Sequence, residues 1–189
     1  MARKLNSKIP TSGRIGRFVK ILEKETNRDV VEKVIKDADK YDSFNYIEKA
    51  DWWSKAVQRL EKLVKKSTVV KVMENCGRKC CGLTYRKRAN QFMSESKSIE
   101  EFLDKLNKSW PAGVKFELKD KNTIIQIYEK CYCGQVKQAK ESFPTNTYCQ
   151  CGVGWIKQLF ESALGKSVKV DLKQSIICGG KSCEFIINI

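Results

Sequence analysis

Histidine is absent from all 189 residues. That removes the commonest general acid–base side chain near neutral pH and the commonest nitrogen ligand for metals, so any soft-metal site has to be built from sulfur. No apolar run approaches the roughly 18 residues that read as a membrane span, so no membrane segment is expected. Met1-Ala2-Arg3-Lys4-Leu5-Asn6-Ser7 has basic residues with no apolar stretch behind them, which speaks against a secretory leader and for a cytoplasmic location. Also missing are H-E-x-x-H, G-x-S-x-G and a phosphate-cradling glycine loop. The acidic residues are scattered over polar faces, so general acid–base chemistry finds little support.

Lysine and cysteine are what the chain has in plenty. Its 37 basic residues against 22 acidic ones give a formal net charge of +15, which invites a nucleic-acid partner. Only 8 of the 37 are arginine, however, and they form no basic stripe or recognised motif. A solvated lysine-rich surface is the plainer expectation, and nucleic acid is not the expected partner. In a reducing compartment, clustered cysteines bind metal or react more often than they form a disulfide framework, and the total of 9 is odd.

An apolar fraction of 41% and a charged fraction of 31% describe an ordinary folded chain. Residues 1–13, with Pro10, Ser12 and Gly13, read as a flexible arm, 14–110 as a helical region and 111–189 as an α+β region, forming one domain from residue 14. Ile15, Phe18, Val19 and Leu22 recur with helical spacing, and a second helix follows Asn27. A third is expected from Asp42 or Ser43 to about Lys66; Trp52 and Trp53 within it read as core, with the alternative that one indole faces a neighbouring element or a ligand. A fourth, capped by Ser67 or Thr68 and stopped by Gly82, carries Val69, Met73, Cys76 and Cys80 on one face. A polar connection over 84–97 then leads to a capping box at Ser98 and Glu101. Beyond Trp110-Pro111 the apolar period falls to two. Val114, Phe116 and Leu118 form one strand, residues 123–133 the returning one, and a helix bears Ile156, Leu159, Phe160 and Leu164. Two closing strands carry Val168, Val170, Leu172 and then Cys183, Phe185, Ile187. The result is an α+β fold: an antiparallel β-β-α-β-β sheet covered by helices, with an N-terminal helical region.

Two matching clips stand out, Cys131-Tyr132-Cys133 and Cys149-Gln150-Cys151. Residues i and i+2 of an extended chain point to the same side, so two facing clips supply the four thiolates of a zinc site or, alternatively, an iron–sulfur cluster. Cys76 and Cys80, one helical turn apart, either join that site or serve as small buried hydrophobes. A helix start after Cys149 and Cys151 favours their thiolates, leaving a redox thiol or inert burial as alternatives. Cys178 and Cys183 flank the last turn and read as structural. Tyr128, Tyr148, Trp155, Ile156 and Phe160 are candidates for an apolar ligand pocket, although Ile156 and Phe160 taken singly read as core.

The segment from Tyr148 to Ile189 carries a glycine-led helix with Phe160-Glu161 and Leu164-Gly165, a valine-rich strand through Val168 and Val170, and a hairpin through Gly179, Gly180, Cys183, Phe185 and Ile187. It resembles the C-terminal half of the 4-vinyl reductase, or hydrocarbon-binding, domain family, as a cysteine-rich branch. The resemblance implies a ligand-sensing α+β fold related to vesicle-tethering and nitric-oxide-sensor domains, a pocket for a small apolar molecule, and cysteine ligands to a metal. It does not carry a reductase activity to a chain without histidine. The expected function is therefore a sensor-like domain that binds a cysteine-ligated metal and a small hydrophobic ligand. A thiol- or metal-dependent hydrolase or redox enzyme is the alternative, and a nucleic-acid-binding zinc protein ranks below both. A homodimer is left open.

Overall fold

The computed structural model describes residues 10–189, so most of the expected arm lies outside the described residues. Helix α1 (Gly13–Glu25) buries Ile15, Phe18, Val19, Ile21 and Leu22, the stripe its spacing predicts. Helix α2 (Arg28–Val34) starts where the Asn27 side chain accepts the Val30 N–H at 3.0 Å. Residues Ala38–Ser43 then make a 3-10 turn, and helix α3 (Tyr46–Leu63) begins later than expected. The reason is a complete capping box: Asn45 caps the Ile47 and Glu48 N–H groups, and Glu48 reaches back to the Asn45 N–H at 2.8 Å. Both adjacent indoles of α3 are buried. Trp52 donates to the Lys36 carbonyl at 2.8 Å and Trp53 to the Tyr41 hydroxyl at 2.9 Å.

Helix α4 (Lys66–Cys80) follows, and the expected polar connection after it is another helix, α5 (Leu83–Ser94). Its apolar stripe is thin, with Ala89 the residue it fully buries. The helix is held by its contacts with the helices on either side of it in space, not by amphipathic periodicity. Gly82, expected to stop α4 in a left-handed conformation, has φ −64° and caps the start of α5. Helix α6 (Ile99–Ser109) begins at the predicted Ser98 cap.

Strands β1 (Val114–Asp120) and β2 (Thr123–Tyr128) form the first hairpin, helix α7 (Gln150–Leu164) crosses over, and β3 (Lys169–Gln174) and β4 (Cys183–Asn188) form the second. The order across the sheet is β1-β2-β4-β3, antiparallel throughout, with Gln126 opposite Phe185 and Tyr128 opposite Cys183. The α+β class with an N-terminal helical region is the observed one. Strand β2 stops at Tyr128, so the first cysteine clip lies in the loop beyond the strand and not at its end.

Two apolar clusters result. One joins α1 to α4 with Val136, Phe143 and Tyr148; the other joins α5, α6 and α7 to the inner sheet face through Phe102, Phe116, Ile124, Phe160 and Ile187. Helices α4 and α7 lie against each other so closely that side chains are excluded at two points. A Cβ on Gly77 would stand 1.8 Å from the Cys151 carbonyl oxygen, and one on Gly154 would stand 1.9 Å from the Glu74 carbonyl oxygen. These reciprocal glycines bring Cys80 and Cys151 to the same space. Gly77→Ala or Gly154→Ala should each lower unfolding free energy by about 3 kcal/mol or more in denaturant titrations, whereas Gly134→Ala, with nothing within 4 Å of the added carbon, should change it by no more than about 0.5 kcal/mol.

Candidate functional site

A cavity of about 730 Å³ opens between the two clusters. Its lining comes from α1, the end of α4, helix α5, the end of α6, Val114 of β1, Tyr128 of β2 and the loop beyond it, the start of α7 and strand β4. At its floor lies Arg14, one turn before Phe18 on the inward face of α1. One guanidinium nitrogen, Nη1, donates to Cys80 Sγ at 2.9 Å; the other, Nη2, donates to Cys151 Sγ at 3.1 Å and Tyr148 Oη at 3.4 Å. The guanidinium carbon stands 5.6 Å from the Trp53 ring centre and 5.8 Å from that of Tyr148, within cation–π range. Cys133 Sγ lies 3.3 Å from the Tyr148 hydroxyl, and Arg17 adds a contact of 3.5 Å to Cys80.

The opposite wall is aromatic. Tyr85, Trp110 and Trp155 meet pairwise, with ring centres 6.1, 5.5 and 6.4 Å apart, and Tyr128 packs edge-on against Phe185. Tyr132, in the first cysteine clip, anchors its hydroxyl on the Ala112 carbonyl at 2.5 Å.

All nine cysteines are free thiols. Cys80, Cys131, Cys133, Cys149 and Cys151, five of the six expected metal ligands, line this one cavity, and Cys183 joins them. Cys76 does not: it is buried in the first apolar cluster, so the helical pair divides between core and cavity. Among the described residues, no group of three or more Cys, Asp or Glu side chains is placed to hold a metal ion. Within the cavity, Cys80 and Cys151 contact Arg14, Cys133 contacts Tyr148 and Cys183 accepts from the Ile176 N–H, and these contacts leave the sulfurs unconverged. Of the expected pocket residues, Tyr128, Tyr148 and Trp155 line the cavity, whereas Ile156 and Phe160 are fully buried core. Phe160 stands edge-on to Phe102, with ring centres 6.0 Å apart.

Sequence reasoning passed over Arg14, Arg17, Tyr85, Arg88 and Trp110. A signal for Arg14 was present. It falls four residues before Phe18 on an otherwise apolar stripe, and arginine is scarce in this chain. Tyr85 was hidden because its helix read as a connection.

Burial governs the thiols. It pushes Cys131 and Cys151 up to about 11 and Cys76 up to about 12, with Arg14 pulling Cys151 back toward the thiolate. Burial also raises Cys149, overturning the expectation that the start of α7 would stabilise its thiolate: desolvation outweighs the partial charge of a helix end. Tyr148 is likewise held protonated by burial.

The sequence over residues 15–189 matches the family of unknown function DUF6144. No curated protein matches the chain. Among solved structures, the chain is similar to Fe(II) unliganded H-NOX proteins from K. algicida. A mutant form has a TM-score of 0.52 and 16% identity over 93% of this chain and 94% of that one; a second H-NOX structure has a TM-score of 0.51 and 16% identity over 92% of each. A trafficking protein particle complex subunit 3 from Naegleria fowleri, covalently bound to palmitic acid, aligns with a TM-score of 0.48 and 15% identity over 76% of this chain and 94% of that one. The H-NOX matches establish a shared fold.

Thiols whose folded pKa is raised keep their protons while the unfolded chain loses them, so their contribution is intact below the unfolded value and is lost as pH rises through the folded one. Stability should therefore fall between pH 9 and pH 11, the ordinary thiol value and the raised value of Cys131 and Cys151. Melting temperatures across that window should show the decline, and a Cys131→Ser, Cys151→Ser double variant should make it shallower, the buried thiols of Cys76, Cys81 and Cys149 keeping the remainder.

Proposed function

We propose, from the premise that the chain belongs to the DUF6144 family of unknown function, that it is a small-molecule-binding, sensor-like domain whose ligand site is the thiol- and aromatic-lined cavity. The observation that carries this reading is the cavity itself. Its volume of about 730 Å³ falls within the usual range for small-molecule sites, and it joins a broad aromatic wall to a few convergent polar groups. The fold shared with proteins described as unliganded Fe(II) H-NOX proteins supports the same reading. The hydrocarbon-binding resemblance of residues 148–189 agrees with the apolar wall. An enzymatic reading gains less. A nucleophilic thiol needs an adjacent base or a depressed pKa, yet no carboxylate lines the cavity and the chain has no histidine.

Two probes of one shape test it: neutral naphthylmethanol and anionic naphthoate. At least one should bind with one-to-one stoichiometry, quench tryptophan fluorescence and raise the melting temperature. Trp155→Ala should weaken that binding by about 10-fold, the value of one aromatic contact. No saturable binding by either probe would remove the pocket reading.

The second reading keeps a sulfur-ligated metal, zinc or an iron–sulfur cluster. It is favoured by one observation: both Cys-x-Cys clips and Cys80 reach the same cavity. Loading would require the sulfurs to move together and the buried thiols to give up their protons. Protein purified without air should then hold stoichiometric zinc, or a brown chromophore that bleaches on oxidation, and Cys133→Ser should lose it. Metal-free protein with nine titratable thiols would exclude this reading.

A further inference from the structure

Charge around the cavity is one-sided. Arg14, Arg17, Arg88 and Lys130 line it, and among the described residues no Asp or Glu does. Three arginines elsewhere have conventional partners: Arg28 pairs with Glu32 at 2.8 Å and Arg78 with Glu161 at 2.6 Å, while both Nε and Nη2 of Arg59 donate to the Val34 carbonyl; Arg86, outside the cavity, shares with Arg14 and Arg17 a buried Nε–H that meets no acceptor among the described residues. Among the described residues Arg14 meets two thiols and a phenol, and the buried Nε–H groups of Arg14 and Arg17 meet no acceptor. Residues 1–9 contain no acidic side chain that could supply one. Glu129, in the loop near Tyr132, is engaged by Lys115 at 3.1 Å. A buried guanidinium stays charged and calls for an anion with good hydrogen-bond geometry. Among the described residues the cavity is lined by these cations, by neutral acceptors and by no carboxylate.

We infer that the cavity's ligand is an amphipathic organic anion, a carboxylate on an aromatic or compact apolar body, with its acid group on Arg14 and its body against Tyr85, Trp110 and Trp155. This rests on the pocket reading above and names the class of molecule the pocket selects. Arginine is suited to the task because its planar fork matches a carboxylate with two parallel hydrogen bonds. The aromatic wall supplies apolar contact that an inorganic anion cannot use.

The test compares naphthoate with naphthylmethanol by titration calorimetry on the full chain. Naphthoate should bind at least about 10-fold more tightly, the size of a charge-assisted contact. Arg14→Gln should abolish that preference, naphthoate losing at least about 10-fold more affinity than naphthylmethanol, and Arg14→Lys, which keeps the charge but loses the fork, should fall between. The wild-type comparison alone decides the matter if the variants fail to fold. Equal affinity for the two probes would overturn the anion assignment and leave the pocket reading standing; binding by neither would remove both. Displacement of naphthoate by inorganic phosphate at equal concentration would overturn the requirement for an apolar body.

Discussion

A guanidinium cannot shed its proton to suit its surroundings, and this fold places one at the bottom of a cavity among groups that burial keeps neutral. Lysine in the same place could escape by deprotonating; arginine cannot. Among the described residues the cost of withdrawing that charge from water is offset by weak acceptors, namely Cys80, Cys151 and Tyr148, and by the faces of two aromatic rings. The remaining organisation of the site follows from that position. The thiols nearest Arg14 are oriented by its N–H groups, Tyr148 is fixed between Arg14 and Cys133, and Trp53 underlies the guanidinium while bonded through Tyr41.

Backbone contact between α4 and α7 makes the position possible. Two glycines let the helices meet main chain to main chain, each clearing a carbonyl of the other helix. That contact sets Cys80 and Cys151, 71 positions apart in sequence, on opposite nitrogens of one side chain. Two ion pairs reinforce the junction, Arg78 with Glu161 at 2.6 Å and Lys157 with Glu74 at 2.8 Å. Both are partly shielded from solvent, so they hold their geometry better than the exposed i,i+4 pairs on α2 and α3. Much of the precision of the site comes from helix packing, since its cysteines are half-buried loop and helix-end residues that would wander without it.

Where the chain alternates or repeats regularly, the architecture could be read directly. The stripe of α1, the caps at Asn27 and Ser98, and the alternation of β1 and β4 each follow from a local rule that tertiary contacts do not overrule. The errors fall where tertiary contacts dominate. Helix α5 has too few apolar residues to announce itself, and β2 stops at Tyr128 because its partner strands begin opposite it, at Val114 of β1 and Cys183 of β4. The candidate site was legible as chemistry but not as geometry. The two clips do converge on one cavity with Cys80, yet spacing alone could not reveal that an arginine from the first helix would stand among them. Nor could it separate Trp155, which faces the cavity, from its neighbour Ile156, which is buried in the core.

The possible counter-charges to Arg14 compete for the same volume, and this gives the site its character. An ionised thiol would balance the arginine but must overcome the burial that holds Cys151 up at about 11. A zinc ion with four thiolates would carry a net charge of about −2, electrostatically suitable, yet it would have to draw sulfur away from the arginine contacts of 2.9 and 3.1 Å. An organic anion needs no proton loss, because Arg14, Arg17, Arg88 and Lys130 already line the cavity as cations; on Arg14 it would share the N–H groups that now reach Cys80 and Cys151. Its apolar part displaces water from rings that gain little from keeping it. On the proposed reading the thiols pack around a fixed positive charge, and the selectivity of the cavity would reside in Arg14 and the aromatic wall.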